Sequence, residues 1–124
     1  MTEAPTDPAP SGDCLFCRIV AGELPAEEVA SSPLTFAFRD ISPAMPTHVL
    51  VIPRQHIESA ATIEAAHAEV LGELFQTARR VAESEGLSER GWRLVLNVGD
   101  DARNSVPHLH VHVLGGRPMD WPPG

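Results

Sequence analysis

Residues 107–114 run Pro107-His108-Leu109-His110-Val111-His112-Val113-Leu114, and this octet constrains the chain more than any other segment. Strict alternation of imidazole and aliphatic side chains has the period of a β-strand. His108, His110 and His112 then share one face, with same-face neighbours about 6.5–7 Å apart, while Leu109, Val111 and Val113 share the other. The aliphatic face needs a core to pack on, and the imidazole face needs something to act on. Half of the six histidines sit in this one ribbon. Three readings fit the residues: a solvated strand face, a His-x-His pair completing a metal site with a third ligand, or a nucleophilic site. In the third, a neutral imidazole attacks phosphorus through one nitrogen while the other is protonated and held by an acceptor. Flanking imidazoles then donate to phosphate oxygens.

The rest of the chain narrows the choice. With 124 residues it is expected to form one domain. It contains no Lys and no Tyr, which excludes Schiff-base chemistry, a phosphate-loop lysine and a tyrosine acid or base. The formal net charge of −8 repels a phosphate backbone, so no nucleic-acid partner is expected. Two cysteines are too few for a disulfide scaffold. No apolar run is long enough to span a bilayer, and the acidic, Pro-rich start is unlike a signal peptide, so no membrane association is expected and the expected compartment is the cytoplasm.

Residues 1–12 carry three prolines and read as a disordered leader, and the domain is expected over 13–124 with a C-terminal tail at 117–124. Asp13 is the expected cap of a short helix from Cys14 to Val20, stopped near Gly22. Strands are expected over Glu27–Ser31, Leu34–Arg39, His48–Ile52, Trp92–Val98 and Val106–Leu114, with a turn at Ser32-Pro33. Thr62 is the expected cap of a long amphipathic helix ended by Gly86, its apolar side made of Val70, Leu71, Leu74, Phe75, Ala78, Val81 and Ala82, with His67 inside it. The fold class is therefore α+β, with a mainly antiparallel sheet, one long helix and a short N-terminal helix.

His108-Leu109-His110-Val111-His112-Val113 matches the pattern His-φ-His-φ-His-φ-φ, where φ is apolar. Asp40-Ile41-Ser42-Pro43, Pro46-Thr47-His48 followed by Val51-Ile52-Pro53, Ser105-Val106, Leu114-Gly115-Gly116-Arg117 and the ending Trp121-Pro122-Pro123-Gly124 accompany it. On these residues the chain resembles the histidine triad (HIT) superfamily, and within it the histidine triad nucleotide-binding proteins, the purine nucleoside phosphoramidases. The resemblance runs from about Cys14 to Gly124. It implies a homodimer that cleaves purine nucleoside 5′-phosphoramidates and related acyl-nucleotides to the monophosphate through a nucleotidyl-histidine. Rival readings are a dinucleoside polyphosphate hydrolase, a nucleotide-sensing or scaffold module with little turnover, and a metal-dependent hydrolase.

The resemblance also implies roles. His110 matches the nucleophile, His112 a phosphate contact, and His108 with His48 the relay that orients the nucleophile. Asn97 and Ser105 match phosphate and leaving-group contacts, and Asp40 the carboxylate on the ribose hydroxyls. Phe16, Ile19, Ile41 and Leu50 match the apolar slot for the base, and Trp121 in the tail matches a residue reaching the partner subunit's site. No cofactor is implied for catalysis. Cys14 and Cys17, with His56 and His108, match a structural zinc set of some bacterial members. Such a closed Cys₂His₂ set is expected to support stability and, when emptied, to leave the chemical step largely intact. Where the family's loop usually reads Gly-Gln-Ser-Val, this chain has Arg103-Asn104-Ser105-Val106. Arg103 gives up glycine's conformational freedom and adds a cation, and Asn104 is one methylene shorter than Gln.

Overall fold

The computed structural model describes residues 14–124, so the leader expected at 1–12 and the Asp13 cap lie outside the described residues. The elements are α1 (Leu15–Val20), β1 (Glu28–Ser31), β2 (Thr35–Arg39), β3 (Thr47–Pro53), α2 (Ala68–Ser84), β4 (Trp92–Val95) and β5 (Val111–Gly115), with short 3₁₀ turns at Ala60–Thr62 and Ala65–His67. The strands form one antiparallel sheet in the order β1-β2-β3-β5-β4. No helix among the described residues is long and apolar enough to cross a membrane.

The period-two pattern divides the sheet into two faces. Ala37, Val49, Val51, Val111 and Val113 face α2 and form the main core with Val70, Leu74, Ala78, Val81 and Ala82. Phe38, Leu50 and Ile52 face the other way and pack with Cys14, Phe16 and Cys17 around α1. β3 is therefore buried along its whole length. Its register sets His48 opposite Leu114 and Leu50 opposite His112, which brings the β3 and β5 histidines to the same face. Gly115 lets the Leu87 side chain lie directly under β5, since a Cβ there would come within 2.7 Å of Leu87 Cδ1.

Several boundaries differ from expectation for identifiable reasons. Cys14 caps α1, its sulfur accepting from the Cys17 N–H. Pro53 completes β3 rather than following it, and its carbonyl is used below. Thr62 does not start the long helix: Ser59 caps a 3₁₀ turn there, and Ile63 is extended. α2 begins at Ala68, with His67 buried at the cap position and its Nδ1 accepting from Glu64 N–H at 2.9 Å. Phe75 is 47% exposed rather than in the core. Thr77 is buried in the helix stripe, bonded to the Thr35 hydroxyl of β2. β4 stops at Val95, leaving Leu96 and Val98 exposed. β5 begins at Val111, not Val106. Pro107 has no N–H to give a ladder, the His108 N–H turns back to Val106 O, and Leu109 N–H donates to Ile57 O.

Candidate active site and Cys₂His₂ cluster

The irregular entry into β5 still delivers the alternation expected of the octet. Leu109, Val111 and Val113 are buried in the core, and His110 and His112 stack at 5.1 Å between ring centroids on the opposite face. His110 Nδ1 lies 2.7 Å from the main-chain carbonyl of His108. A carbonyl only accepts, so Nδ1 carries the proton and Nε2 presents a bare lone pair. The Phe16 ring packs edge-on against His110 at 5.2 Å and against His108 at 5.9 Å.

A second chain of bonds orders His112. The Ala44 N–H donates to His48 Nδ1 at 3.0 Å, which leaves the His48 proton on Nε2. His48 Nε2 then donates to His112 Nδ1 at 2.9 Å, so His112 carries its proton on Nε2. That nitrogen lies 3.5 Å from Asn97 Nδ2, at the end of β4. Burial pushes His112 down to about 4, with His110 and His48 adding to the effect and Asp40 opposing it. His112 is thus a neutral donor. Asp40 stands at the rim, one oxygen accepting from the Ser42 N–H at 2.7 Å and the other 3.5 Å from His48 Nε2.

Asp40, His48 and His112 are close enough to suggest a metal site. Their protons argue against it, because His48 presents an N–H where a metal needs a lone pair.

The Cys₂His₂ cluster has the opposite character. Cys14 Sγ lies 3.5 Å from His56 Nδ1 and 3.4 Å from His108 Nδ1, Cys17 Sγ lies 3.2 and 3.5 Å from the same atoms, and the two Nδ1 atoms are 3.2 Å apart. Zinc bond lengths in a regular tetrahedron give edges of about 3.5 Å for S···N and about 3.3 Å for N···N. His108 Nε2 donates to Pro53 O at 2.9 Å, leaving its Nδ1 lone pair aimed at the centre. Burial pushes the Cys17 thiol up to about 12 and His108 down to about 4, which favours the neutral form of each. The donor set fits zinc in number, type and spacing.

The structure places the other expected residues less uniformly. Leu50 and Phe16 are buried beneath the histidines, while Ile19 packs partly buried on the same cluster and Ile41 is 98% exposed. Ser105 is exposed on the loop that leads into His108. Trp121 is 80% exposed and lies over the Arg93 guanidinium of β4, whose Nη2 donates to Asp120 O. Of the two residues expected to orient His110, His108 bonds to it through its carbonyl, while His48 bonds to His112. Arg103 keeps the left-handed conformation that glycine would have supplied, at φ 63°, at a cost of roughly 1–2 kcal/mol. Ala44 N–H, His108 C=O and Pro53 C=O all act on imidazoles here. No side-chain pattern could have revealed them, since every residue carries the same main-chain groups.

The sequence profile of the HIT domain matches residues 21–119. A HIT family hydrolase from Legionella pneumophila superposes with a TM-score of 0.88 at 46% identity, over 90% of this chain and 100% of that one. A purine nucleoside phosphoramidase of Escherichia coli is 40% identical over 86% of this chain and 90% of its own length. A 14 kDa zinc-binding protein of Brassica juncea is 44% identical over 90% of this chain and 100% of its own.

Proposed function

The chain belongs to the HIT domain family, and on that premise we propose that it hydrolyses purine nucleoside 5′-phosphoramidates and related acyl-nucleotides to the nucleoside monophosphate. The observation that carries this reading is the 2.7 Å bond from His110 Nδ1 to the His108 carbonyl. It leaves Nε2 unprotonated and oriented, as a nitrogen nucleophile requires.

In the first step Nε2 bonds to the α-phosphorus as the P–N bond breaks, and the leaving nitrogen takes up a proton from solvent. In the second, water bonds to phosphorus and gives up a proton to solvent as the P–Nε2 bond breaks, which restores His110. The His112 Nε2–H, with Asn97 beside it, donates to the phosphate oxygens as charge moves onto them. Ser105 stands on the leaving-group side. Asp40 accepts from both ribose hydroxyls, and Ile19, Ile41 and Leu50 flank the base, with Phe16 as the floor below. The phosphoramidase relative supports the P–N substrate class.

No catalytic metal enters this scheme. The Cys14, Cys17, His56 and His108 set would hold a structural zinc, which when bound cross-links α1, the segment after β3 and the entry to β5; the zinc-binding relative supports that reading. The reading includes a homodimer, and the edge strand β4, with exposed Leu96 and Val98 beside it, supports it as a surface for a second copy.

Turnover of adenosine 5′-phosphoramidate tests the reading. Rapid acid or base quench of the wild-type protein should trap a nucleotidyl-histidine. His110→Ala should lower kcat by on the order of 10⁴-fold or more while AMP binding survives. Near-normal turnover in that variant would overturn the assignment.

A further inference from the structure

His108 belongs to both halves of the site at once. Its Nδ1 faces the two sulfurs of the Cys₂His₂ cluster, its Nε2 is tied to Pro53 O, and its carbonyl holds the nucleophilic imidazole. A second path runs through α1. Phe16 lies between the two cysteines in sequence, and its ring packs edge-on against both His108 and His110. The bonds of His108 and the packing of Phe16 therefore converge on the short stretch from His108 to His110.

The segment so restrained is anchored by the buried Leu109 side chain but has few main-chain bonds of its own. Residues 106–110 precede β5 and have no sheet ladder. Their main-chain bonds are the His108 N–H to Val106 O and the Leu109 N–H to Ile57 O. Ile57 directly follows His56, the fourth member of the cluster. Helix α1 has only six residues, too short to be stable alone. With no cation in the set, four ligand atoms within 4.8 Å of one another lose the bond that makes their closeness favourable.

We infer that the Cys14/Cys17/His56/His108 set, when metal-loaded, is a positioning device for the nucleophile: it fixes the His108 carbonyl and the Phe16 ring, and through them the tautomer and aim of His110. This inference rests on the zinc and phosphoramidase readings above, and it departs from a purely structural role. Loss of the metal lowers kcat even where the domain stays folded, and leaves the proposed ribose contact in place, because Asp40 directly follows β2 and its N–H donates to His48 O of β3.

The experiment uses full-length protein with ¹⁵N-labelled histidine, before and after removal of zinc by chelation and after zinc is restored. Amide spectra at low temperature establish that the β3–β5 ladder persists. Long-range ¹H–¹⁵N spectra should show His110 as a single Nδ1–H tautomer in the loaded protein and a mixture in the metal-free protein. Over the same cycle kcat for adenosine 5′-phosphoramidate should fall at least tenfold and recover. If the metal-free domain unfolds, Phe16→Leu supplies the test with all four ligands intact: zinc content should be full, the His110 Nδ1–H signal should give way to a mixture of tautomers, and kcat should fall fivefold or more. A folded, metal-free protein with an unchanged His110 tautomer and kcat overturns the inference, as does a zinc-loaded Phe16→Leu protein that keeps a single His110 tautomer and wild-type kcat. If no phosphoramidate is turned over at all, the proposed activity fails, and the His110 spectrum still decides the coupling by itself.

Discussion

His48 Nε2 and His112 Nδ1 lie 2.9 Å apart, and the proton between them belongs to His48, because the Ala44 N–H occupies the other nitrogen of that ring. The bond turns His112 into a donor of known direction. His48→Ala should remove this control without removing the donor itself. The expected loss in kcat is about 10- to 100-fold, below the 10²–10³-fold typical of deleting a transition-state donor outright. Steady-state kcat and KM measured against wild type check it, and an unchanged kcat would sink the role given to His48.

The same environment makes a prediction about pH. The groups facing His112 are His48, His110 and Asp40, and burial outweighs the carboxylate to bring His112 from 6.5 to about 4. A histidine whose folded pKa is depressed stays neutral while the unfolded chain takes up a proton. Its contribution to stability is therefore complete above about pH 6.5 and is lost as pH falls toward about 4, with no further change below. Imidazole NMR should show His112 neutral and in one tautomer at pH 5. A midpoint near 6.5 for that resonance would contradict the burial argument.

Asp40→Asn isolates the ribose contact. The amide oxygen can still accept from the Ser42 N–H, so the turn at residues 40–42 survives. What is lost is a charged acceptor for the sugar hydroxyls, worth about 1.5–3 kcal/mol. Binding of AMP should weaken by that amount, and binding of 2′-deoxy-AMP by clearly less. Equal losses measured by calorimetry would take Asp40 out of the ribose site.

Thr77 and Thr35 show where the sequence was legible and where it was not. Helical spacing marked out α2 and its core side correctly at Val70, Leu74, Ala78, Val81 and Ala82. It put Phe75 inside and passed over Thr77, because hydrophobicity ranks an isolated side chain and says nothing of a partner across the core. Thr77 is buried because the Thr35 hydroxyl lies 2.7 Å away, with Ser32 and Arg80 completing the chain of bonds. The site divides in the same manner. Alternation placed His110 and His112 on one face, and the family resemblance grouped Cys14, Cys17, His56 and His108. The proton positions that make the histidines useful come from Ala44 N–H, His108 C=O and Pro53 C=O, and main-chain groups have no letter in a sequence. Strand ends were misjudged for a related reason: β5 starts late because Leu109 bonds Ile57, a contact fixed only by the folded chain.

Thr77→Val follows from that core bond. It strands one side of a fully buried hydroxyl network and should cost about 1–3 kcal/mol, read as a lower urea midpoint at unchanged m. Activity at low temperature should be wild type, because Thr77 faces the sheet from the α2 side and the histidines lie on the other. A large loss of kcat would mean that the two faces are coupled more tightly than the layered fold implies.

The tail supplies the last prediction. Three of the eight residues from Arg117 to Gly124 are proline, so it forms neither helix nor central strand. It lies beside β4, where Arg93 holds Asp120 O at 3.1 Å and sits 5.9 Å from the centre of the Trp121 ring. β4 is the edge at which a second copy is proposed to pair, and an indole left 80% exposed at such an edge carries apolar area that a partner would cover. Deleting residues 118–124 should leave the core and the β4 edge intact, so folding and the dimer measured by sedimentation should persist. Selectivity should change instead, because Trp121 would border the leaving-group side of the partner subunit's pocket. The ratio of kcat/KM for a bulky aromatic phosphoramidate to that for the simple amide should shift at least threefold on truncation. Arg93→Ala should move the ratio in the same direction, by releasing the tail without shortening it. If both variants keep the wild-type ratio, the tail only covers its own strand, and Trp121 has no part in the site.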